Sequence, residues 1–429
     1  MKQIALSLFT GMALLAGSAT VMAATMEITA SFTPSLENPE NNTFTNTTPA
    51  GGYCTDYPEQ CLNLKTFSIS MGGITASLAT AGFTANSDPR MGVYLRMPGA
   101  WRDITLTNQE DGSHTIVRFR VGGFGAVLNT HNAWTIDDYK GSWSGGSFVN
   151  APSPCMFSGV GAYTTRYYRF MWRWPADNAA CYKVAKIPLT GEPYLINDTS
   201  IMYELQTPEP LKLTSGLYEG TLSLTVGPGG DIDFGDNFQA SDNQLNLHFS
   251  LSVNHELKLT TTPENQSVSL QPCAAGKICT ADEGEANWER WMVNWERWMV
   301  SRVTPQLTGR SAFTLSSSGG FTVFLDCADQ IGKECALTSD NSGQQVPMKV
   351  TINMPENVVD MQTGSTVSGR PLFIGKTANQ NEFTAKVYGA DKPGSIDFLV
   401  RQKDVDTMLS TRPDTYRGAV SVIFDPNIY

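Results

Sequence analysis

The sequence predicts an all-β protein built from two β-sandwich domains. Three observations support this: short runs of alternating apolar and polar residues recur, Gly, Pro, Asn and Asp separate them, and long helical patterns are almost absent. Such alternation is typical of antiparallel sheets that bury one face. Strands at this spacing favour sandwiches over a core of alternating strands and helices. Examples are MEITASF, HTIVRFRVGG, YTTRYYRFMWRW, NLHFSLSVN, PMKVTINM and GAVSVIF.

The first 23 residues indicate a secretory signal. Lys2 precedes an apolar run from Ile4 to Ala16, and small residues lead to Ala23, after which we expect cleavage. The run is shorter than the ~20 residues of a membrane span. We therefore expect an exported protein without a membrane anchor of its own. Its mature chain is long enough for two domains.

The charge balance is acidic, with 30 Lys and Arg against 41 Asp and Glu and a net charge of -11. The sequence contains no run of basic residues. Because phosphate backbones are bound through clustered Lys and Arg, this composition disfavours nucleic acid as a partner. It disfavours an anionic membrane surface for the same reason.

The eight cysteines predict four disulfides, because the count is even and the chain is exported. Pairing between sequence neighbours is the first choice, since each bridge then closes one short loop or bend. A crossed arrangement of the last four, first with third and second with fourth, is the alternative. No spacing is the CxxC of a zinc site. In sequence order the cysteines are Cys54, Cys61, Cys155, Cys181, Cys273, Cys279, Cys327 and Cys335.

A polar, proline-containing stretch, TTTPENQS at 260–267, is the predicted seam between the domains. It divides the mature chain into residues 24–262 and 263–429. The N-terminal part carries five of the nine tryptophans, and the other four lie in one repeated phrase.

That phrase, NWERWMV, occurs at 287–293 and again, unchanged, at 294–300. Seven residues turn a helix by almost two full turns, whereas an odd insertion in a strand moves every later side chain to the other face. The duplication is therefore compatible with a short helix or a surface loop. One interpretation is an amphipathic segment that docks a partner or lipid. We prefer the other, a duplication in a permissive connection, because the charges on the polar face cancel.

No motif indicates an enzyme. The histidines form no metal-binding pair, and neither a GxSxG elbow nor a P-loop occurs. The segment GDIDFGD at 230–236 partly resembles a calcium loop but lacks its terminal Glu, and a hairpin connection explains the same residues. We therefore predict no catalytic residue, no cofactor and no metal.

The region from Trp134 to Trp174 suggests carbohydrate recognition. In the predicted strand YTTRYYRFMWRW, one face carries a row of aromatic rings and the other carries Arg, Tyr and Thr. A sugar stacks its C–H face on a flat ring while its hydroxyls bond planar polar groups. The alternative is a Trp-rich sandwich core with a salt-bridged exterior. The predicted carbohydrate-binding residues are Trp134, Asp137, Trp143, Trp172, Arg173 and Trp174.

The C-terminal segment TYRGAVSVIFDPNIY (415–429) resembles the terminal strand of subunits assembled by the chaperone–usher pathway of Gram-negative bacteria. The resemblance implies an immunoglobulin-like sandwich that lacks its final strand. A periplasmic chaperone, and then the donor strand of an adjacent subunit, would supply that strand. The residues implied to contact it are Gly418, Val420, Val422 and Phe424.

Three N-terminal segments are similar, in the same order, to the galactose-binding tip adhesin of P pili: KGSWS (140–144), RWPADNAAC (173–181) and PLKLTSGLYEGTLSL (210–224). The segment ATMEITASFTPS resembles an ordinary first strand rather than a donor arm. Together the resemblances imply a two-domain tip adhesin of a chaperone–usher fimbria. It would join an elongated lectin-like sandwich at 24–262 to an incomplete pilin domain at 263–429.

The implied partners are a periplasmic chaperone, an outer-membrane usher, a neighbouring subunit and a host glycan or glycoprotein receptor. The implied location is the fimbrial tip at the cell surface. A structural minor pilin or adaptor without glycan binding is the first alternative. A secreted glycan-active enzyme is the second.

Overall fold

The computed structural model describes residues 23–63, 65–129, 141–147, 149–164, 166–190, 193–293, 304–377 and 380–426. Residues 1–22 of the predicted signal, the second NWERWMV copy and the C-terminal Tyr429 lie outside these residues. The described strands up to residue 253 are β1 Ala24–Phe32, β2 Thr45–Asn46, β3 Ser68–Ser70, β4 Ala76–Leu78, β5 Gly82–Phe83, β6 Val93–Arg96, β7 Arg102–Asn108, β8 His114–Asn129, β9 Met156–Tyr163, β10 Tyr167–Arg173, β11 Ala180–Lys183, β12 Leu189–Thr190, β13 Leu195–Gln206, β14 Gly216–Thr225, β15 Phe238–Ala240 and β16 Gln244–Val253.

The later strands begin just beyond residue 253. They are β17 Leu257–Thr260, β18 Gln271–Cys273, β19 Gln306–Ser317, β20 Gly320–Cys327, β21 Gln330–Ile331, β22 Glu334–Ser339, β23 Gln345–Asn353, β24 Val358–Asp360, β25 Arg370–Pro371, β26 Glu382–Ala385, β27 Gly389–Val400, β28 Tyr416–Arg417 and β29 Val420–Asp425. The α-helices are α1 Tyr53–Asp56, α2 Pro58–Asn63, α3 Ala281–Val293 and α4 Gln402–Ser410. Short 3-10 helices lie at Pro89–Met91, Pro210–Lys212 and Pro263–Gln266. The predicted all-β class is confirmed.

Most N-terminal strands form one large sheet, whose main path has the order β15-β4-β13-β8-β7-β14-β16-β1-β2, while β6 pairs with β11 and β5 with β12 in two small separate sheets. Strands β3, β10 and β9 branch from it, because β3 pairs with β13, and β10 joins β8 to β9. In β16 every second residue is buried, from Leu245 to Val253. The alternation read from the sequence therefore corresponds to one core-facing side. Strand β1 pairs with β16 in parallel along its whole length.

The C-terminal strands form two further sheets around a second, separate core. One has the order β17-β19-β27-β23-β22-β21, and the other has the order β24-β26-β20-β29. Phe313 of the first lies 5.6 Å from Phe424 of the second, ring centroid to ring centroid, so the two sheets pack face to face as a sandwich. Strand β17, which precedes the predicted seam, pairs with β19 of this sandwich. The functional division into two domains stays a prediction.

The first copy of the repeated phrase forms the end of α3, one of the two structures that the duplication allows. Thr280 and Glu283 begin this helix with reciprocal hydrogen bonds between side chain and backbone, a capping box. Trp288 and Met292 are exposed, so the helix buries only part of its aromatic content. None of the helices in the described part of the chain is long and apolar enough to cross a membrane.

All eight cysteines pair with their sequence neighbours. The bridges are Cys54–Cys61, Cys155–Cys181, Cys273–Cys279 and Cys327–Cys335, with Cα–Cα distances of 5.5, 5.9, 5.6 and 5.6 Å. Local pairing is thus confirmed, and the crossed alternative is wrong. The first bridge joins α1 to α2, and the last joins the end of β20 to β22.

Candidate functional site

The predicted sugar platform requires correction, because its described tryptophans lie in the core. Trp143 and Trp172 are 0% exposed and Trp174 is 1% exposed. The rings of Phe170 and Trp172 lie 4.7 Å apart, and those of Trp172 and Trp174 lie 6.4 Å apart. A ring without an exposed face cannot stack on a sugar. The Trp-rich core, weighed as the alternative, is what the structure shows for these three residues.

Of the other predicted platform residues, the structure describes only Arg173. Trp134 and Asp137 fall outside the described residues. Arg173 is half-buried, between Gly123 of β8 and Met156 of β9 in the strand register. The Trp174 indole donates a hydrogen bond to the Ala179 carbonyl at 3.0 Å, which satisfies its polar atom inside the core.

The C-terminal sandwich has an incompletely covered core along β29. This strand pairs with β20 on one side and, among the described residues, with no strand on the other. Val420, Val422 and Phe424 pack against the core but stay half-buried. The Phe424 ring contacts Phe313 and Phe321, with centroids 5.6 and 6.0 Å away. A free backbone edge beside a half-covered apolar stripe is the arrangement that an added strand completes.

Strand β17, which pairs only with β19 among the described residues, presents a second free edge of the same sandwich. Its Leu257 packs partly against the C-terminal core, and its Leu259 is 40% exposed. The uncovered surface beside Val420, Val422 and Phe424 is called the groove below. It belongs wholly to the second core and contains no titratable group in its apolar stripe.

Gly418 has a packing role rather than a place in the groove. It lies where the chain leaves β28, which pairs with β22, and enters β29, which pairs with β20. A Cβ at this position would lie 2.6 Å from the Ala336 carbonyl oxygen. The strand change between sheets therefore requires a residue without a side chain. The other three implied contact residues are in the groove.

The acidic segment at 230–236 is organised by arginines. Asp233 is fully buried and accepts hydrogen bonds from Arg90 at 3.0 Å and from the Gly229 and Gly235 amides. Asp236 accepts two bonds from Arg90, at 2.7 and 2.8 Å. These bonds lower the pKa of Asp236 and raise that of Arg90.

Asp231, the third carboxylate, pairs with Arg102. Burial opposes ionisation of Asp231, but hydrogen bonds from Arg102 and Thr225 lower its pKa overall. Each carboxylate of the loop is thus held by a guanidinium group. In the described part of the chain no three His, Cys, Asp or Glu side chains are grouped to hold a metal ion.

Comparison with known proteins gives structural similarities only. No family model matches the chain, and no curated protein matches it. A chain from a chaperone–tip adhesin complex of CFA/I fimbriae is similar over 95% of this chain and 97% of its own, with 9% identity and a TM-score of 0.22. A chain from the CsuC–CsuE chaperone–tip subunit complex of Acinetobacter baumannii Csu pili is similar over 94% of this chain and 98% of its own, with 11% identity and a TM-score of 0.20.

CfaE, the adhesive subunit of the CFA/I fimbria of enterotoxigenic Escherichia coli, is similar over 94% of this chain and 92% of its own, with 8% identity and a TM-score of 0.20. These solved structures are, by their own descriptions, tip adhesins or adhesive subunits of fimbriae, alone or with a chaperone.

Proposed function

We propose that this protein is the tip adhesin of a chaperone–usher fimbria. Its N-terminal domain would bind a glycan on the host surface, and its C-terminal sandwich would dock on the fibre through the groove. The observation that carries the proposal is the free edge of β29 with its half-covered stripe of Val420, Val422 and Phe424. A strand added there gains backbone hydrogen bonds and buries alternate side chains.

The groove accounts for the two kinds of fibre partner. A periplasmic chaperone would cover it before assembly, and the donor strand of the adjacent subunit would cover it in the fimbria. The outer-membrane usher would exchange one for the other. Strand β1 is not available as a donor, because all nine of its residues pair with β16 within its own domain.

The four disulfides support the exported location. A chain whose eight cysteines are all paired suits the oxidising periplasm and cell surface. Glycan recognition by the N-terminal domain follows from the adhesin assignment. It no longer depends on the buried tryptophans.

The proposal is tested by placing a charge in the groove of the exported full chain, co-expressed with the chaperone of its fimbria. Val422→Asp puts a carboxylate into the apolar stripe. Ser421→Asp is the matched control, because the adjacent Ser421 is exposed on the other face of β29. We expect Val422→Asp to reduce co-purification with the chaperone at least tenfold and Ser421→Asp to leave it unchanged.

The opposite result would refute docking through the groove. That result is a wild-type chain that is stable and monomeric without a chaperone, together with a Val422→Asp chain that enters fimbriae as the wild type does.

A further inference from the structure

The N-terminal domain has one end that lies far from the C-terminal sandwich. Strands β14 and β16 are antiparallel, with Gly216 opposite Val253 at the end next to β17 and Thr225 opposite Gln244 at the other. Ten residues of strand at ~3.3 Å each separate the two ends by roughly 30 Å. The connection at 226–243 therefore marks the distal end. A receptor site on a fibre tip must be reachable there.

The distal connection fixes a guanidinium group beneath an aromatic ring. Its residues Asp233 and Asp236 hold Arg90 from two sides. The Arg90 guanidinium carbon lies 4.8 Å from the centroid of the Tyr94 ring, within the range of a cation–π contact. The buried carboxylate of Asp233 thus positions Tyr94 indirectly, through a charged group that cannot rotate freely.

Tyr94 and Tyr182 together form an aromatic surface of two residues, called the shelf below. Tyr94 lies opposite Tyr182 in the β6–β11 pair, and the two rings are nearly parallel, at 9° with centroids 6.5 Å apart. Tyr182 is 39% exposed and follows Cys181, which the disulfide to Cys155 anchors. In the described part of the chain neither tyrosine hydroxyl has a hydrogen-bond partner. The shelf is therefore open at Tyr182, half-buried at Tyr94, and carries two hydroxyl groups that a ligand can bond.

A cleft of about 450 Å³ shares Asp236 with this cluster. Ala79 and residues of the distal connection between Val226 and Asn243 line it. Asp236 both holds Arg90 and lines the cleft, so the contacts that position the shelf extend to the wall of the cleft.

We infer that the Tyr94–Tyr182 shelf is the receptor-binding surface and that it takes a neutral hexopyranose. This inference rests on the proposed adhesin function and replaces the tryptophan platform. Flat, fixed rings accept the C–H face of a pyranose, and the free hydroxyls and Asp236 serve its hydroxyl groups.

The charge of the surroundings selects against acidic sugars. Asp233 and Asp236 hold Arg90, and Asp231 holds Arg102, so these two guanidinium groups are already neutralised and offer no free charge to a sialic acid or sulfate. Lys183, next to Tyr182, is buried and donates to the Ser144 and Ser147 carbonyls instead.

The test is an array of neutral glycans and their sialylated counterparts, probed with the exported full chain. We expect binding to neutral glycans. Tyr182→Ala should weaken it about tenfold, equivalent to about 1.4 kcal/mol, whereas Tyr182→Phe keeps the ring and most of the affinity. Phe44→Ala is the matched control. Phe44 is a half-buried aromatic whose ring lies 6.5 Å from that of Phe32, and Phe32 pairs with Val253 at the opposite end of the domain.

Each outcome is decisive. Full binding by Tyr182→Ala, or loss of binding in Phe44→Ala alone, overturns the shelf. Stronger binding to sialylated than to neutral glycans overturns the ligand class. A folded chain that binds no glycan overturns both, while the Val422→Asp assembly test decides the proposed function independently. If Tyr182→Ala fails to fold, Tyr182→Leu keeps the apolar bulk without the flat ring and gives the same comparison.

Discussion

Replacing Trp172 with alanine distinguishes a core residue from a sugar-binding residue. Its ring is fully buried in β10, against Phe170 and Trp174. Deleting a buried Trp side chain typically costs about 3–5 kcal/mol, from lost transfer free energy and the cavity left behind. Because two aromatic contacts are lost together, we expect the upper half of that range. At about 2–4 °C per kcal/mol for a domain of ~150–250 residues, the melting temperature should fall by about 10 °C or more.

The assay is thermal unfolding of the exported full chain, followed by near-ultraviolet circular dichroism. Phe157→Ala is the matched control, because Phe157 lies opposite Trp172 in the β9–β10 pair but is 49% exposed. We expect that control to change the free energy of unfolding by about 1 kcal/mol or less. The two variants remove neighbouring aromatic rings and differ in burial.

A Trp172→Ala chain that melts within about 2 °C of the wild type would refute the assignment of this ring to the core. Loss of glycan binding with unchanged stability would restore the tryptophan platform. Equal destabilisation by both variants would show that burial does not determine how much free energy of unfolding is lost when an aromatic ring is removed here.

Three further predictions concern other parts of the chain. Burial lowers the pKa of the His255 ring, so the neutral ring stabilises the fold above pH ~6.5 and this stabilisation is lost as the pH falls. His255→Gln should therefore lose less melting temperature than the wild type between pH 7.5 and 5.0. Equal losses in both chains would contradict this. Gly418→Val should destabilise the C-terminal sandwich by about 1–3 kcal/mol in thermal unfolding, whereas Gly141→Val, with no neighbour within 4 Å, should not. Removing the Cys155–Cys181 bridge, with a sequence separation of 26, should cost about 3.5 kcal/mol in urea unfolding. Removing the bridge between α1 and α2, with a separation of 7, should cost about 2.4 kcal/mol, and a reversed order would argue against a loop-entropy origin.

The strands were largely predictable because their alternation is local. NLHFSLSVN gives β16, and GAVSVIF gives β29, whose half-buried side chains are at the predicted positions. Local pairing of the cysteines was also predictable, since short loops close most easily. These features depend on residues that are near neighbours in the sequence.

The inward face of β10 was not predictable in the same way. Alternation shows that two faces exist, but both faces of YTTRYYRFMWRW carry large rings. Which one is buried depends on the elements that pack on each face of β10, and the local sequence does not show these elements: Trp172 packs against Phe170 and Trp174 inside the large core.

The aromatic shelf was missed because its residues are distant in sequence. Tyr94 and Tyr182 meet only through the β6–β11 pairing, and Arg90 reaches them only because Asp233 and Asp236 hold it. The one sequence signal was the alternation in VYLR and ACYK, which places each tyrosine on a strand. That signal does not show that the two strands are partners.

The course of β16 has a mechanical consequence. This strand leaves the distal connection at Gln244 and reaches the start of the C-terminal sandwich after Val253. Tension between a receptor on the shelf and the fibre would first cross the contacts of Arg90 with Tyr94, Asp233 and Asp236, and would then follow the extended backbone of β16, with β1 and β14 on either side. The Arg90 contacts are the non-covalent step of this path, so the ion pairs that position the shelf would also carry its load.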